Sequence, residues 1–228
     1  MAEKAKRIAA GLLEVDEKDI AYRDGAFSIP GTDIPALSFG KVARMAYLGH
    51  KLPAGMRPGL DETVFYDPVG MGSPSGVHMA YVEVDAETGI VDILDYVAVD
   101  DAGTLINPLL AAGQIHGGVV QGIGQAISED VTYDRSNGQL ISSSLLDYAV
   151  PLAESVPNIR SSFQKTPSPT NPIGVKGIGE NGAIAAPPTI VHAVLDALAP
   201  FGIKHLDMPM TPPRIWAEVQ KARSGQQP

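Results

Sequence analysis

The sequence predicts an α+β fold in which antiparallel hairpins pack against helices. Strand pairs alternate with helices along the chain, without the regular strand–helix–strand rhythm of a doubly wound parallel sheet. The clearest signal is a hairpin: residues 78–84 and 90–99 show the alternation and β-branched side chains of strands, and the turn at 86–89 joins them. A long, glycine-rich helical segment follows at 109–129.

The other elements follow from periodicity and turn residues. Helical spacing of apolar residues, with Ser38 as an N-cap for the second helix, predicts helices at 5–13, 39–48, 184–198 and 213–221. The helix at 184–198 is expected to hold Pro187 and Pro188 in its first turn. Turn residues predict short strands at 15–20 and 26–29, and a second hairpin between 131–133 and 139–143. We expect one domain over 1–222, with a possible sub-boundary near 50–60 and a loose tail at 223–228.

Composition restricts the function classes. The chain of 228 residues has a formal net charge of −9, which disfavours binding to nucleic acid or to an anionic membrane surface. Its charged share of 19% is below the usual ~25% of soluble domains and leaves room for a large contact surface with another subunit. It contains no cysteine, so a disulfide scaffold or a Cys-ligated iron–sulfur cluster within this chain is excluded. The five scattered histidines do not suggest a closed zinc site, so no protein-ligated metal is predicted.

No apolar run approaches the ~18–20 residues of a transmembrane helix. The N-terminus lacks the apolar segment of a signal peptide. A cytoplasmic location is therefore expected.

Five glycines lie within the helical segment 113–125. Each glycine inside a helix costs ~1 kcal/mol relative to alanine, so a compensating close approach is expected. Gln114, Gln121 and Gln125 recur at helical spacing and share one face. Two interpretations remain open: this face contacts the polar edges of a heterocyclic ligand, or the glycines permit tight helix–helix packing while the glutamines face solvent.

A second glycine cluster, residues 174–182, is called here the glutamate loop because Glu180 lies near its end. Neighbouring glycines leave the Glu180 carboxylate open to approach, which suits a general base. The alternative is a surface glutamate that gains a little stability from a helix N-terminus. Gly177, Gly179 and Gly182 also match the spacing of a dinucleotide-binding loop, but a proline-rich segment precedes them instead of a buried strand, which argues against that reading.

Several single residues receive structural interpretations. His78 is read as a structural strand residue, and Trp216 as an anchor of the core. The pair Asp100-Asp101 is interpreted as a solvated turn in preference to a cation site. For His116, a packed or partly exposed position is favoured over contact with a ligand.

The segments GQIHGGVVQGIGQ (113–125) and GVKGIGENGA (174–183), in this order, resemble the xanthine dehydrogenase/aldehyde oxidase family of molybdenum hydroxylases. The similarity is to the C-terminal part of the molybdopterin-binding large subunit, and it covers nearly the whole chain. Supporting stretches lie at 96–103, 106–108, 146–148 and 205–216. The fold implied is that of the C-terminal half of the molybdenum-cofactor-binding domain.

The resemblance also implies a chemistry and a set of site residues. The family oxidises aldehydes or N-heterocycles with water as the oxygen source, using molybdenum held by a pterin dithiolene. Glu180 matches the catalytic base, and Gln114 matches a glutamine that hydrogen-bonds the cofactor. Weaker candidates for cofactor contact lie near these two on the same segments: Gly117, Gly118, Gln121, Lys176 and Gly179.

The family's large subunit is several-fold longer than this chain. We therefore expect one part of a split or truncated subunit within a hetero-oligomer. The cofactor would be shared with the remaining molybdopterin-binding chain, and iron–sulfur clusters and FAD are expected on partner subunits. Purified alone, the chain is expected to bind no molybdenum. Two alternatives are a non-catalytic interaction or assembly remnant and a fragment of a carbon monoxide dehydrogenase-type large subunit.

Overall fold

The structure is a computed structural model that describes residues 1–225, apart from the side chain of Lys51. The chain divides into a first unit, Met1–Asp67, and a second unit that begins at Pro68. Each unit has its own buried apolar cluster. The division at 67–68 lies beyond the sub-boundary that the sequence suggests near 50–60 within an otherwise single domain. Of the loose tail predicted at 223–228, residues 226–228 lie outside the described residues.

The first unit combines two helices with a small antiparallel sheet of order β1-β2-β3. Its elements are α1 (Ala2–Leu13), β1 (Ala21–Arg23), β2 (Ala26–Ser28), β3 (Leu37–Ser38) and α2 (Phe39–Ala46). Ser38 caps α2 as predicted, since its hydroxyl accepts from the Lys41 amide at 3.3 Å. The strand predicted at 15–20 is wrong: Asp16 caps a 3₁₀ turn at Glu17–Asp19, and a strand begins only at Ala21.

The second unit packs three helices against a three-stranded sheet of order β4-β5-β6. Its elements are β4 (Ser75–Val84), β5 (Val91–Asp101), α3 (Pro108–Ile127), β6 (Ile159–Gln164), α4 (Asn181–Ala197) and α5 (Pro212–Arg223). β4 and β5 form the predicted antiparallel hairpin, while β6 pairs with β5 in parallel. The predicted α+β class, with a hairpin packed on helices, is confirmed.

Two local predictions in the second unit need correction. The segments of the hairpin expected within 131–143 do pair antiparallel, through the bridge between Tyr133 and Leu140 and the bond from the Ile141 amide to the Thr132 carbonyl oxygen at 2.8 Å, but neither forms a regular strand. Pro187 and Pro188 lie in the interior of α4 and not in its first turn, because the helix begins at Asn181. The Pro187 ring is buried against α3, where a Cβ on Gly122 would lie 2.7 Å from Pro187 Cδ.

The core of the second unit lies between its sheet and its helices. It is built from fully buried side chains of β5, α3, α4 and α5, among them Tyr96, Ile115, Val119, Ile123, Ile190, Val194 and Ile215. Trp216, predicted as a core anchor, is 45% exposed, because its neighbours Ile215 and Val219 take the buried face of α5. Among residues 1–225, no helix is both long and apolar enough to span a membrane.

Candidate functional site

The two glycine clusters of the sequence meet where α3 runs beside the start of α4. A Cβ on Gly182 would lie 2.6 Å from the Ile115 carbonyl oxygen and 2.7 Å from the Val119 amide nitrogen. A Cβ on Gly118 would lie 2.9 Å from the Ala183 nitrogen. These distances are too short for any side chain, so the glycines bring the two helix backbones into contact. Tight helix packing thus accounts for Gly118 and Gly122.

The opposite side of α3 is open. Gly113 and Gly117 have no atom of another element within 4 Å of the position a Cβ would occupy. Gln114, Gln121 and Gln125 are exposed on the same side. The two interpretations of the glycines in α3 therefore apply to different sides of the helix. Its α4 side is packed tightly, and its open side carries a row of amides beside backbone without side chains.

Glu180 stands at the N-cap position of α4, immediately after the exposed Gly179. A Cβ on Gly179 would lie 3.9 Å from Gln114 Oε1, so the glutamine of α3 is a neighbour of the glutamate loop. Glu180 is exposed and makes no capping bond with its side chain. Gln114 and Glu180, the two main site residues predicted from sequence, are therefore both exposed, and Gln114 lies near the residue that precedes Glu180 in the chain.

Behind the loop lies a buried hydrogen-bonded network that begins at Asn181. Asn181 Nδ2 donates to Asp100 Oδ1 at 3.0 Å. His78 Nε2 lies 3.2 Å from Asp100 Oδ2, and His78 Nδ1 lies 2.9 Å from the Tyr96 hydroxyl. The side chain of His78 is fully buried, and burial raises the pKa of the Tyr96 hydroxyl.

The second carboxylate of the pair, Asp101, holds the other end of the loop. Lys176 Nζ donates to Asp101 Oδ2 at 3.0 Å, while the amides of Thr166 and Gly103 donate to Oδ1 at 3.1 and 2.8 Å. Hydrogen bonding by Thr166 and then by the Gly103 amide holds the pKa of the Asp101 carboxyl well below its usual value.

Asp100 and Asp101 end β5 and are both buried, so their interpretation as a solvated turn is wrong. Their hydrogen-bond partners come from several parts of the chain, among them β4 and the start of α4, which the local sequence does not reveal. Asn181, the link between Asp100 and the loop, cannot be recognised from the local sequence, because its role depends on a strand 81 residues away.

Other residues of the second unit lie away from Glu180 or have partners of their own. His116 is half-buried, with Nε2 3.1 Å from the Ser161 hydroxyl, in agreement with the packed interpretation. A largely apolar cavity of about 480 Å³ lies beside the C-terminal end of α3, lined by residues such as Ile127, Val150 and Met210. Within the described part of the chain, no three His, Asp or Glu side chains group as metal ligands.

Known proteins resemble this chain over most of its length. The family of molybdopterin cofactor-binding domains matches residues 1–157. The carbon monoxide dehydrogenase large chain of Hydrogenophaga pseudoflava is 38% identical over 218 residues, which are 96% of this chain and 27% of that protein. The nicotine 6-hydroxylase large subunit of Paenarthrobacter nicotinovorans is 40% identical over 214 residues, which are 93% of this chain and 26% of that protein.

A solved structure of a relative has a similar fold over most of this chain. The crystal structure of quinoline 2-oxidoreductase from Pseudomonas putida 86 matches with a TM-score of 0.83 at 40% identity, over 96% of this chain and 28% of that chain. This chain thus spans about a quarter of the length of the relatives it matches. It belongs to the family of molybdopterin cofactor-binding domains found in the large subunits of molybdenum hydroxylases of the xanthine dehydrogenase family.

Proposed function

We propose that this chain supplies one wall of the active site of a molybdenum hydroxylase that oxidises an N-heterocycle or an aldehyde, with Glu180 as the general base. The observation that carries the proposal is the approach of Gln114 Oε1 to Gly179, which lies next to Glu180 in the chain. A hydrogen-bonding amide therefore lies beside the chain segment that carries an exposed carboxylate. The names of two relatives, a nicotine hydroxylase and a quinoline oxidoreductase, support an N-heterocycle as the substrate class.

The open side of α3 fits the heterocyclic part of a pterin cofactor. Gln114 and Gln121 offer amide donors and acceptors, which suit the polar ring edges of a pterin. At Gly117 the backbone carries no side chain and meets no neighbour within 4 Å, so a flat ring can come close. We assign cofactor contact to these residues and to Gly179.

Gly118 and Lys176 receive other roles. The Gly118 backbone is covered by α4, and Lys176 is paired with Asp101. We therefore assign helix packing to Gly118 and loop shaping to Lys176.

The net reaction that we propose takes R–H and water to R–OH, two protons and two electrons. The bound cofactor supplies the redox chemistry by accepting the electron pair. Glu180 accepts a proton from the water molecule whose oxygen enters the product. Its position at the start of α4 suits this task, because Glu180 is exposed and its side chain makes no capping hydrogen bond. Iron–sulfur clusters and FAD on partner subunits would carry the electrons onward.

The rest of the site would come from other chains of a hetero-oligomer. Since this chain spans about a quarter of its relatives, we propose that the remaining molybdopterin-binding chain covers the open side of α3 and shares the cofactor. An iron–sulfur subunit and an FAD subunit complete the proposed assembly, in the cytoplasm. Neither nucleic acid nor a membrane is among the proposed partners.

A second candidate is the oxidation of carbon monoxide, favoured by the 38% identity with a carbon monoxide dehydrogenase large chain. That reaction takes CO and water to CO₂, two protons and two electrons. It would use the same base and differ in the residues around the substrate. A non-catalytic assembly role is the remaining alternative.

The test is to express this chain with its partner subunits and to compare wild type with Glu180→Gln. Loss of a general base lowers the rate by roughly 10²–10⁴-fold, so turnover should fall by that factor while molybdenum content is unchanged. Glu154→Gln, at an exposed glutamate on the same unit, is the matched control and should keep full activity. Nicotine, quinoline, an aldehyde and CO, each with a dye as electron acceptor, identify the substrate class. Unchanged turnover in Glu180→Gln would favour the assembly role.

A further inference from the structure

The glutamate loop is held at both ends by two adjacent carboxylates of β5. We propose that Asp100 and Asp101 are positioning residues for Glu180. Asp100 fixes the loop through its hydrogen bond with Asn181, the residue after the base in the chain, and Asp101 fixes it through its ion pair with Lys176, four residues before the base. This inference rests on the proposed function of Glu180. Because successive side chains of a strand point to opposite faces, two neighbouring aspartates can reach two different ends of one loop.

The hydrogen bond to Asp100 is made by the residue directly next to the proposed base. Asn181 follows Glu180 in the chain, and its Nδ2 donates to Asp100 Oδ1 at 3.0 Å. The other oxygen of Asp100 is held by His78, which is fixed in turn by the Tyr96 hydroxyl. Asp100 is only 2% exposed, and a buried carboxylate that lost these partners would be strongly destabilised. The network therefore permits few alternative positions for Asn181.

The ion pair between Asp101 and Lys176 fixes the other end of the segment that carries Glu180. Lys176 donates from Nζ to Asp101 Oδ2 at 3.0 Å, and its amide donates to the Ala102 carbonyl oxygen at 3.0 Å. The Lys176 side chain is largely buried, so this ion pair is less screened by water than one at the surface. Side-chain and backbone bonds thus act together at this end.

Within the segment between Lys176 and Asn181, Ile178 has contacts of its own: its side chain packs against the core, and its carbonyl oxygen accepts from the Asn181 amide at 3.3 Å. Gly177 and Gly179 have no side chains and are exposed, and Glu180 is exposed too. Glycines lose more conformational freedom on ordering than other residues, so a glycine-rich segment depends on fixed ends. The Glu180 carbonyl oxygen accepts from the Ile184 amide at 2.9 Å, so exchange at Ile184 reports how firmly Glu180 is held.

The first test is amide hydrogen exchange, followed by NMR on the full chain. Loss of one hydrogen bond to a charged group should speed exchange at Ile184 by roughly tenfold or more in Asn181→Ala and in Lys176→Met. Alanine has the higher helix propensity, so faster exchange in Asn181→Ala cannot come from a weaker intrinsic helix. Exchange at Val194, deeper in α4, should stay unchanged. The matched controls Asn158→Ala and Lys165→Met alter exposed residues and should match wild type at Ile184.

The second test is kinetic and uses the assembled enzyme. A displaced base should lower kcat by roughly tenfold with little change in KM, since substrate binding is kept while proton transfer is impaired. The proposal is overturned if either variant exchanges at the wild-type rate at Ile184, or if kcat is unchanged in both. Amide exchange does not depend on turnover, so the two proposals can fail separately. If exchange at Ile184 is faster in Asn181→Ala and Lys176→Met while Glu180→Gln stays fully active, Glu180 is not the general base, but Asp100 and Asp101 still hold the loop.

Discussion

Gly182 of α4 lies against Ile115 of α3 so closely that a Cβ on the glycine would come within 2.6 Å of the Ile115 carbonyl oxygen. The same position would bring it within 2.7 Å of the Val119 amide nitrogen. Both neighbours are backbone atoms that cannot rotate away. The distance between α3 and α4 therefore depends on the glycines at their contact, Gly182 together with Gly118 and Gly122, and so does the separation of Gln114 from the glutamate loop.

Gly182→Ala should destabilise the second unit, because the new methyl group forces the two helices apart. Overpacking of this kind costs about 1–3 kcal/mol. Urea unfolding followed by circular dichroism measures the change. Gly113→Ala is the control on α3 itself, since nothing lies within 4 Å of that position, and it should leave stability unchanged or raise it. Equal stabilities for the two variants would contradict the close packing.

Gly117→Leu should have opposite effects on stability and on cofactor content. A Cβ on Gly117 would have no neighbour within 4 Å, so a leucine there should fit without a clash. The higher helix propensity of leucine should stabilise the chain by up to about 1 kcal/mol. In the assembled enzyme, the same side chain would occupy the surface that we assign to the pterin, and molybdenum per complex should fall severalfold. Unfolding of the chain and metal analysis of the complex measure the two effects. Full molybdenum content in this variant would remove Gly117 from the proposed contact surface.

The sequence predicts most elements of the second unit correctly, because local patterns determine them. The hairpin of β4 and β5 has both alternation and a turn, and α3 is predicted despite its glycines. β6 was not predicted, since it lies in a proline-rich stretch and its pairing partner is the distant β5. The exposure of Trp216 is not predictable in this way, because helical periodicity does not decide between adjacent residues at the edge of a buried face.

The candidate site shows the same division between local and distant information. Gln114 and Glu180 carry motif signals, so the sequence alone predicts them as candidates. The hydrogen bond between Asp100 and Asn181 joins two elements far apart in the chain, and neither residue lies in a local sequence pattern that predicts this contact. Tertiary contacts of this kind require the fold.

Asp101 should make the second unit sensitive to acid. Its pKa is lowered in the folded state by Thr166, the Gly103 amide and Lys176, so the folded protein binds this proton less readily than the unfolded chain does. The stability that Asp101 contributes is therefore present above the pKa of about 4 expected in the unfolded chain. It is lost as the pH falls below that value toward the folded pKa.

Asp101→Asn should remove this part of the pH dependence and lower the stability near pH 7, where the wild-type carboxylate is charged. Unfolding free energies measured at a series of pH values from neutral to acidic check both expectations. Asp92→Asn alters an exposed aspartate of β5 for which no ion pair is described, and it is the matched control. A parallel decline of stability with acid in wild type and Asp101→Asn would show that Asp101 is not the group responsible.

Molybdenum content of the chain purified alone should be far below one atom per chain, even from a host that makes the cofactor. The residues that we assign to cofactor contact, Gln114, Gly117, Gln121 and Gly179, are all exposed on one side, and the catalytic candidate Glu180 is exposed with them. A cofactor held from one side leaves most of its polar edges in water and gains few of the converging contacts that give a small-molecule site its affinity. Metal analysis of the chain alone and of the complex with the remaining molybdopterin-binding chain should therefore differ strongly. Stoichiometric molybdenum in the isolated chain would show that these few residues suffice, and that the partner is not needed to enclose the site.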